Sequence, residues 1–214
     1  MESVSSAVYK AATQKPMIRP LIFVWPYGLP FWILYGLVVV PEILLQQKSN
    51  LTAEAHRAQD QGSVRVIHIA DHSSLLFALF ASVFVSGTSV AVGRHSVFVV
   101  GLMAIAGGGL LRRHCFRMLG TFFTGTIQVE KNQPIVERGA YRYLRHPSYT
   151  GGFLISTGIG LSLTNWLSVG SMALGAGVGY LVRVRAEEAA MLETLGESYR
   201  LYMDRTKRFI PFLF

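Results

Sequence analysis

The 214-residue sequence contains one cysteine, Cys115. A single thiol excludes a disulfide within this sequence and any metal site built from several thiolates. Charged side chains are also scarce, at 15% of residues, whereas an average soluble domain carries roughly 25%. Hydrophobic residues make up 51% of the chain, and the mean hydropathy is +0.38. These values exclude an ordinary soluble domain and favour a membrane protein.

The excess of basic residues, a net charge of +8, does not indicate a nucleic-acid partner. No basic run alternates with aromatic residues, and the Lys and Arg residues border apolar stretches instead. That placement is typical of membrane topology and of contact with anionic lipid headgroups. His68 and His72 are four residues apart but lack the neighbouring glutamate of an HExxH zinc motif. We therefore expect membrane lipid as a partner, and neither nucleic acid nor a metal.

Four apolar stretches predict an all-α, polytopic integral membrane protein with about five transmembrane helices. The last stretch has 32 uncharged residues and breaks at the turn signal Thr164-Asn165-Trp166, so it predicts a hairpin. Its two arms, at about 16 residues each, are short for a full crossing of about 20. Either the arms extend into the flanking motifs or the hairpin lies shallow. The stretches comprise residues 21–45, 73–92, 96–111 and 151–182.

The basic residues also predict the orientation of the chain. With five crossings, residues 46–72, 112–150 and 183–214 lie on one side and hold 16 of the 20 Lys and Arg residues. Because such residues accumulate on the cytosolic side, these segments are expected to be cytosolic. The first of them, residues 46–72, is predicted to be a polar loop, with a short surface helix around residues 53–61 as an alternative.

Polar motifs stand on both sides of the predicted hairpin. Residues 139–151 read Gly-Ala-Tyr-Arg-Tyr-Leu-Arg-His-Pro-Ser-Tyr-Thr-Gly, and residues 183–188 read Arg-Val-Arg-Ala-Glu-Glu. Polar groups beside hydrocarbon are functional candidates, although arginines alone serve equally as interfacial anchors. A hairpin brings the two motifs to the same membrane surface, which predicts one composite site. Arg183 and Glu187 share a helix face. They form either a surface ion pair or a pair in which one binds a substrate acid and the other a cofactor.

The ordered motifs from Arg112 to the C-terminus resemble the isoprenylcysteine carboxyl methyltransferase family of integral membrane enzymes. The resemblance covers roughly the last hundred residues and rests on an ordered set: Leu119-Gly120-Thr121-Phe122-Phe123-Thr124, residues 134–142, Arg145-His146-Pro147-Ser148-Tyr149-Thr150-Gly151, Glu187-Glu188, Leu195-Gly196-Glu197-Ser198-Tyr199, Tyr202 and Pro211.

This resemblance implies S-adenosylmethionine as cofactor and the carboxylate of a C-terminal prenylated cysteine as acceptor. The partners would be prenylated protein C-termini or a small prenylcysteine. Residues 112–214 would form the catalytic region of a single membrane domain, 1–214, with a cytosolic cofactor-binding part. The membrane would be the endoplasmic reticulum if the source is eukaryotic, with the active site facing the cytosol.

The resemblance also implies the roles of individual residues. Arg183 would be the catalytic residue that contacts the substrate carboxylate. The cofactor would be bound by Gln128, Gln133, Pro134, Ile135, Val136, Tyr141, His146, Pro147, Ser148, Tyr149 and Glu187. Two departures concern Gln133, where the family often has His, and residues 206–209, where the eukaryotic enzymes commonly read Val-Pro-Thr-Gly.

The chemistry of methyl transfer suits these residue types. A terminal carboxylate, with an ordinary pKa of about 3.3–3.7, is already ionised at neutral pH and needs no general base. A phospholipid headgroup methyltransferase is an alternative, but an amine nucleophile would require a base near the methyl donor. A sterol reductase that uses NADPH would require a basic cluster for the 2′-phosphate. A non-catalytic membrane scaffold would be expected to lose the cofactor contacts.

Overall fold

The computed structural model describes residues 19–51, 62–123, 127, 129 and 133–210. Within them lie six α-helices, four short 3-10 turns and two isolated β-bridges. Helix α3 packs on α4, α2 on α5, α4 on α5, and α1 against α3. The helices are α1 (Gly28–Leu51), α2 (Ser63–Phe84), α3 (Arg94–Leu119), α4 (Pro147–Ser162), α5 (Trp166–Leu195) and α6 (Glu197–Arg205).

The described helices confirm an all-α integral membrane fold. Helices α2, α3 and α5 are long and apolar enough to cross a membrane, and the apolar part of α1, Gly28–Leu44, is shorter. Helix α4 has 16 residues, fewer than a full crossing needs. The predicted number of five transmembrane helices is therefore approximate. The outer faces carry large exposed apolar side chains, which suit a lipid environment; they include Leu76, Phe84, Met103, Leu110 and Leu174.

The predicted hairpin corresponds to α4 and α5, and its break falls at the predicted turn. Asn165 is fully buried and caps α5, because its side chain accepts a hydrogen bond from the Ser168 amide at 3.2 Å. Its Nδ2 donates to the carbonyls of Ala81 and Val85 at 3.2 and 3.1 Å. Both arms extend into the flanking motifs: α4 begins at Pro147, and α5 continues past the apolar stretch to Leu195.

Glycines allow α3 and α4 to approach closely. A Cβ added to Gly108 would lie 2.5 Å from the carbonyl oxygen of Gly151, and one added to Gly158 would lie 2.7 Å from that of Gly101. Because backbone atoms are the neighbours, no side-chain rearrangement could relieve such contacts. Small residues bring membrane helices together in this way. The close packing places the beginning of α4, which carries the His-Pro-Ser-Tyr motif, beside the end of α3.

Two predicted boundaries are wrong. Residues 46–72 are not one loop, since α1 continues to Leu51 and α2 begins at Ser63, ten residues before the predicted apolar stretch. The alternative of a surface helix around residues 53–61 lies outside the described residues. Helix α3 likewise runs beyond residue 111 to Leu119. Both extensions contain polar side chains that lie against neighbouring helices or line a cavity, including Ser63, Asp71 and Arg112. Because of these polar residues, the two helix extensions resemble loops when only the sequence is considered.

Candidate active site

The His-Pro-Ser-Tyr motif opens α4 and is held in place by the C-terminal segment, residues 206–209. Pro147 occupies the first turn of α4, where its missing N–H costs no hydrogen bond. The amides of Arg145 and His146 donate to the carbonyls of Lys207 and Arg208 at 2.7 and 3.1 Å. The segment therefore pairs with the chain just before α4. Such backbone hydrogen bonds are difficult to predict from the sequence.

Glu188 fastens the same two segments together from α5. It is 4% exposed, and its carboxylate accepts hydrogen bonds from Arg145 at 2.9 Å, His146 at 3.2 Å and Arg208 at 2.7 Å. The hydrogen bonds to Glu188 raise the pKa of the Arg208 guanidinium, against the opposing effect of desolvation. Three hydrogen-bond donors offset the free-energy cost of removing the Glu188 carboxylate from water. Glu188 thus holds the C-terminal segment against the motif.

Glu187, the other member of the Glu-Glu pair, faces a pocket instead. The Tyr149 hydroxyl donates to Glu187 Oε2 at 2.8 Å and accepts from Arg183 Nε at 3.3 Å. Arg183 is 4% exposed, and its Nη1 donates to the Ser63 hydroxyl at 3.0 Å. Tyr149 thus joins the two residues that the sequence places four apart on one face of α5.

The pocket containing this chain of hydrogen bonds lies at one end of the helices. Its wall combines the polar groups with apolar side chains from the end of α3 and from α5. Tyr141 contributes a phenol whose pKa is raised by burial, so this hydroxyl stays neutral and can donate. The Tyr202 hydroxyl donates to the Tyr141 carbonyl at 2.8 Å and holds that turn. The apolar lining includes Leu119, Phe122, Phe123, Ile127, Val129, Met191 and Leu195.

The structure brings together most of the residues expected in the site. Arg183 and nine of the eleven candidate cofactor residues line this one pocket; the nine are Gln133, Pro134, Ile135, Val136, Tyr141, His146, Ser148, Tyr149 and Glu187. Pro147 is not among its lining residues and instead forms the buried first turn of α4. Gln128 lies outside the described residues. The ligand roles of all these residues stay predictions.

A second cavity of about 310 Å³ lies between α1, α2, α4 and α5. Its walls are apolar at Val39, Leu75 and Ile155, among others. The Tyr149 and Tyr180 rings, 5.2 Å apart, lie between the two cavities, because Tyr149 lines the first and Tyr180 the second. The polar groups of the second cavity are Tyr35, Glu42, His68, Asp71, His72, Ser156, Arg112 and Tyr180.

Sequence reasoning assigned no chemistry to two groups that the structure places beside the site. Ser63 stood in a predicted loop, and only its helical placement shows that it reaches Arg183. Arg112 stood at the end of an apolar stretch, where an arginine usually anchors a helix end. It is instead 5% exposed, binds Glu42 at 2.7 Å, and donates to the Ser148 carbonyl at 2.9 Å. The available signal was a glutamate inside one apolar stretch and an arginine directly after another.

The helices and the pocket define a polytopic membrane protein with a polar and apolar pocket at one end of its helical bundle. Residues 99–193 match the model of the isoprenylcysteine carboxyl methyltransferase (ICMT) family. The matched region is somewhat less than half of the chain, and it shows that this part of the chain is similar to that family.

Several proteins of known identity resemble the chain. The protein-S-isoprenylcysteine O-methyltransferase of Tribolium castaneum is 31% identical over 121 residues, which is 56% of this chain and 43% of the relative. Its Homo sapiens counterpart is 32% identical over 117 residues, 54% of this chain and 41% of the relative. Arabidopsis thaliana protein-S-isoprenylcysteine O-methyltransferase B is 30% identical over 115 residues, 53% of this chain and 58% of the relative. The chain thus spans about half the length of the curated relatives it matches.

A solved structure is similar over a larger part of the chain. It is that of a eukaryotic intramembrane Ras methyltransferase, isoprenylcysteine carboxyl methyltransferase. The TM-score is 0.57 at 28% sequence identity, and the match covers 68% of this chain and 52% of the solved one. The similarity supports the helical membrane fold and agrees with the match to the family model.

Proposed function

We propose that the protein transfers a methyl group from S-adenosylmethionine to the C-terminal carboxylate of an S-isoprenylated cysteine. The observation that supports this most directly is the linked arrangement of Arg183, Tyr149 and Glu187 in one pocket, within the region that matches the isoprenylcysteine carboxyl methyltransferase family model. The pocket offers a cation for the acceptor acid and a carboxylate for the donor side.

The residues present fit a cationic nucleoside. Glu187 supplies a carboxylate that suits positive charge or ribose hydroxyls, Gln133 and Tyr141 supply neutral polar groups, and the apolar lining suits a flat base. When bound, S-adenosylmethionine supplies an electrophilic methyl group on a sulfonium. The protein then has to hold the ligands, exclude water and orient the attacking oxygen.

Arg183 is the group proposed to orient the acceptor. A guanidinium is always charged and presents a planar fork that matches the two oxygens of a carboxylate. Burial strengthens this interaction because water competes less for the charge. The acceptor carboxylate is ionised without help, so Arg183 would only have to hold it in line with the donor. The transfer would form an oxygen–methyl bond and break the methyl–sulfur bond, whose electrons would stay on a neutral sulfur.

The second cavity is proposed to take the lipid chain of the acceptor. Its apolar walls lie directly behind the Tyr149–Tyr180 pair. The cavity is lined by α1 and α2, which pack on two different helices, α3 and α5 respectively. The space between α1 and α2 is therefore the proposed entrance for the lipid chain. A chain that passes from the bilayer into this cavity stays out of water, and so avoids a cost of about 0.8 kcal/mol for each exposed CH₂ group. The charged head of the acceptor would then lie near Arg183.

Methyl transfer in detergent tests this function. The purified protein is expected to bind S-adenosylmethionine, and to transfer its labelled methyl group to S-farnesylcysteine or S-geranylgeranylcysteine rather than to phosphatidylethanolamine. Glu187→Ala is expected to weaken donor binding by about tenfold or more, since it removes a charged hydrogen-bond partner. Isothermal titration measures the affinity, and base-labile methyl ester measures the product.

Glu193→Ala is the matched control, because Glu193 is an exposed carboxylate on the same helix and does not line the pocket. Its donor affinity is expected to equal that of the parent. A folded protein that binds no donor would overturn the proposal. Transfer to phosphatidylethanolamine alone would replace the acceptor by a phospholipid headgroup.

We also propose that the pocket faces the cytosol, at the endoplasmic reticulum if the source is eukaryotic. The distribution of Lys and Arg residues supports this orientation. The single native cysteine is buried, so a Cys115→Ser background allows single exposed cysteines to be introduced. Arg142→Cys and Arg200→Cys are expected to react with an impermeant maleimide from the cytosolic side, and Val92→Cys only from the opposite side. The reverse pattern would invert the proposed orientation.

A further inference from the structure

Arg183 is held by side chains from two other helices. Its Nη1 donates to Ser63 Oγ at 3.0 Å and its Nε donates to Tyr149 Oη at 3.3 Å. Ser63 is the first residue of α2 and is 1% exposed, whereas Tyr149 lies in the first turn of α4. Because a guanidinium is planar, contacts to two different nitrogens define both its position and the orientation of its plane.

Tyr149 also connects Arg183 to the opposite side of the pocket. A phenol has one proton, and the Tyr149 hydroxyl directs it to Glu187 Oε2 at 2.8 Å while accepting from Arg183. The hydrogen bonds therefore run in one direction, from guanidinium to phenol to carboxylate. Hydrogen bonds in such a chain polarise one another, so a change at one end alters the other.

We propose that the Ser63 and Tyr149 hydroxyls position Arg183 for the acceptor carboxylate, and that Tyr149 couples donor binding at Glu187 to acceptor binding at Arg183. This inference rests on the proposed function, in which these two charged residues bind the two substrates. Ser63 lies outside the part of the chain that matches the family model, residues 99–193, and comes from a different helix. The structure thus adds an element from the N-terminal half to the site.

The coupling has a thermodynamic consequence. A donor that fixes the Glu187 carboxylate also fixes the phenol, and through it the guanidinium. The acceptor then binds a guanidinium that is already ordered, so the two ligands assist one another. Linkage requires that each ligand raise the affinity for the other by the same factor. In the parent, we expect this factor to be about fivefold or more, at the lower end of typical coupling between sites.

Equilibrium binding tests both parts with S-adenosylhomocysteine, which cannot react, and S-farnesylcysteine. Each ligand is titrated alone and in the presence of the other. Ser63→Ala is expected to weaken S-farnesylcysteine binding about tenfold, as loss of a hydrogen bond to a charged group does, with S-adenosylhomocysteine binding unchanged. Tyr149→Phe keeps the ring and removes the hydroxyl, and it is expected to bring the coupling factor close to one.

Two exposed residues supply matched controls. Ser73→Ala removes a hydroxyl from the same helix as Ser63, and Tyr143→Phe removes a phenol that does not line the pocket. Both are expected to retain the parent's affinities and coupling factor. Glu187→Gln removes the charge of the group that accepts the Tyr149 hydrogen bond, and it is expected to lower the coupling factor as well. It serves as the second measure if Tyr149→Phe does not fold.

The results separate this inference from the proposed function. A folded parent that binds neither ligand overturns the proposed function. A parent that binds both, with the same coupling factor in Tyr149→Phe or in Glu187→Gln, overturns the coupling alone. Unchanged S-farnesylcysteine affinity in Ser63→Ala overturns the positioning role of Ser63.

Discussion

Replacing Arg183 by alanine is expected to lower methyl transfer to S-prenylcysteine by at least about a hundredfold. Removal of one preorganised group that stabilises charge at a reacting centre costs an enzyme roughly 10²–10³ in rate, and misplacement of a substrate by about 1 Å has a cost of similar size. Arg183 is 4% exposed, so in the alanine variant little water could reach the acceptor carboxylate to compensate for the lost positive charge. The measurement is the initial rate of methyl ester formation from labelled donor.

The same variant is expected to bind S-adenosylmethionine within a few-fold of the parent, because the proposed donor side of the pocket is intact. Arg185→Ala is the matched control, since Arg185 is an exposed arginine two residues away on the same helix. Its transfer rate is expected to remain that of the parent. Arg183→Lys keeps a charge but loses the planar fork, and it is expected to recover only part of the rate.

Two outcomes would contradict this role of Arg183. If Arg183→Ala lost donor binding and transfer together, the arginine would belong to the donor site or to the folding of the pocket. If the variant transferred the methyl group at the parent's rate, the acceptor carboxylate would be oriented elsewhere. A thermal unfolding curve for each variant separates a local effect from loss of the folded protein.

The sequence was sufficient to predict the hairpin and the pocket that its two flanking motifs form. Thr164-Asn165-Trp166 interrupts an uncharged stretch of 32 residues, and Asn165 caps the helix that follows. These are local signals, since capping and turn chemistry depend on neighbours in sequence. A short turn between two antiparallel helices then determines which residues meet at the open end.

Contacts between distant parts of the chain could not be predicted in the same way. Glu187 and Glu188 are adjacent in sequence, yet one faces the pocket and the other holds Arg208 in the C-terminal segment. The rotation of α5 decides between them, and that rotation depends on packing against α2 and α4. Ser63 reaches Arg183 across 120 residues of sequence. No local pattern distinguishes such a serine from one in a loop.

The ion pair between Arg112 and Glu42 is a further long-range contact, and it joins α3 to α1. The side chains are 6% and 19% exposed, and Nε lies 2.7 Å from Oε1. Arg112 Nη1 also donates to the carbonyl of Ser148 at the start of α4. The guanidinium therefore links three helices beside the pocket. Because Arg112 is buried, removal of its partner Glu42 would leave an uncompensated charge and lower the stability of the fold.

Glu42→Ala is accordingly expected to destabilise the protein by about 3–5 kcal/mol, because it leaves the buried Arg112 charge without its carboxylate. Replacement of both residues by apolar ones of similar volume often restores stability. The double variant Glu42→Leu/Arg112→Leu is therefore expected to be more stable than Glu42→Ala, although the Ser148 carbonyl loses one donor. Thermal unfolding in detergent, followed by tryptophan fluorescence, measures the difference.

Arg117→Ala supplies the control, since Arg117 is an exposed arginine on the same helix, and its unfolding temperature is expected to match the parent's. A Glu42→Ala protein as stable as the parent would show that Arg112 finds another partner or is hydrated. If the double variant were the least stable of the set, the pair itself would stabilise the fold by more than the desolvation of its two charges costs. Either result would show that an uncompensated Arg112 charge does not destabilise the Glu42→Ala variant in the way predicted.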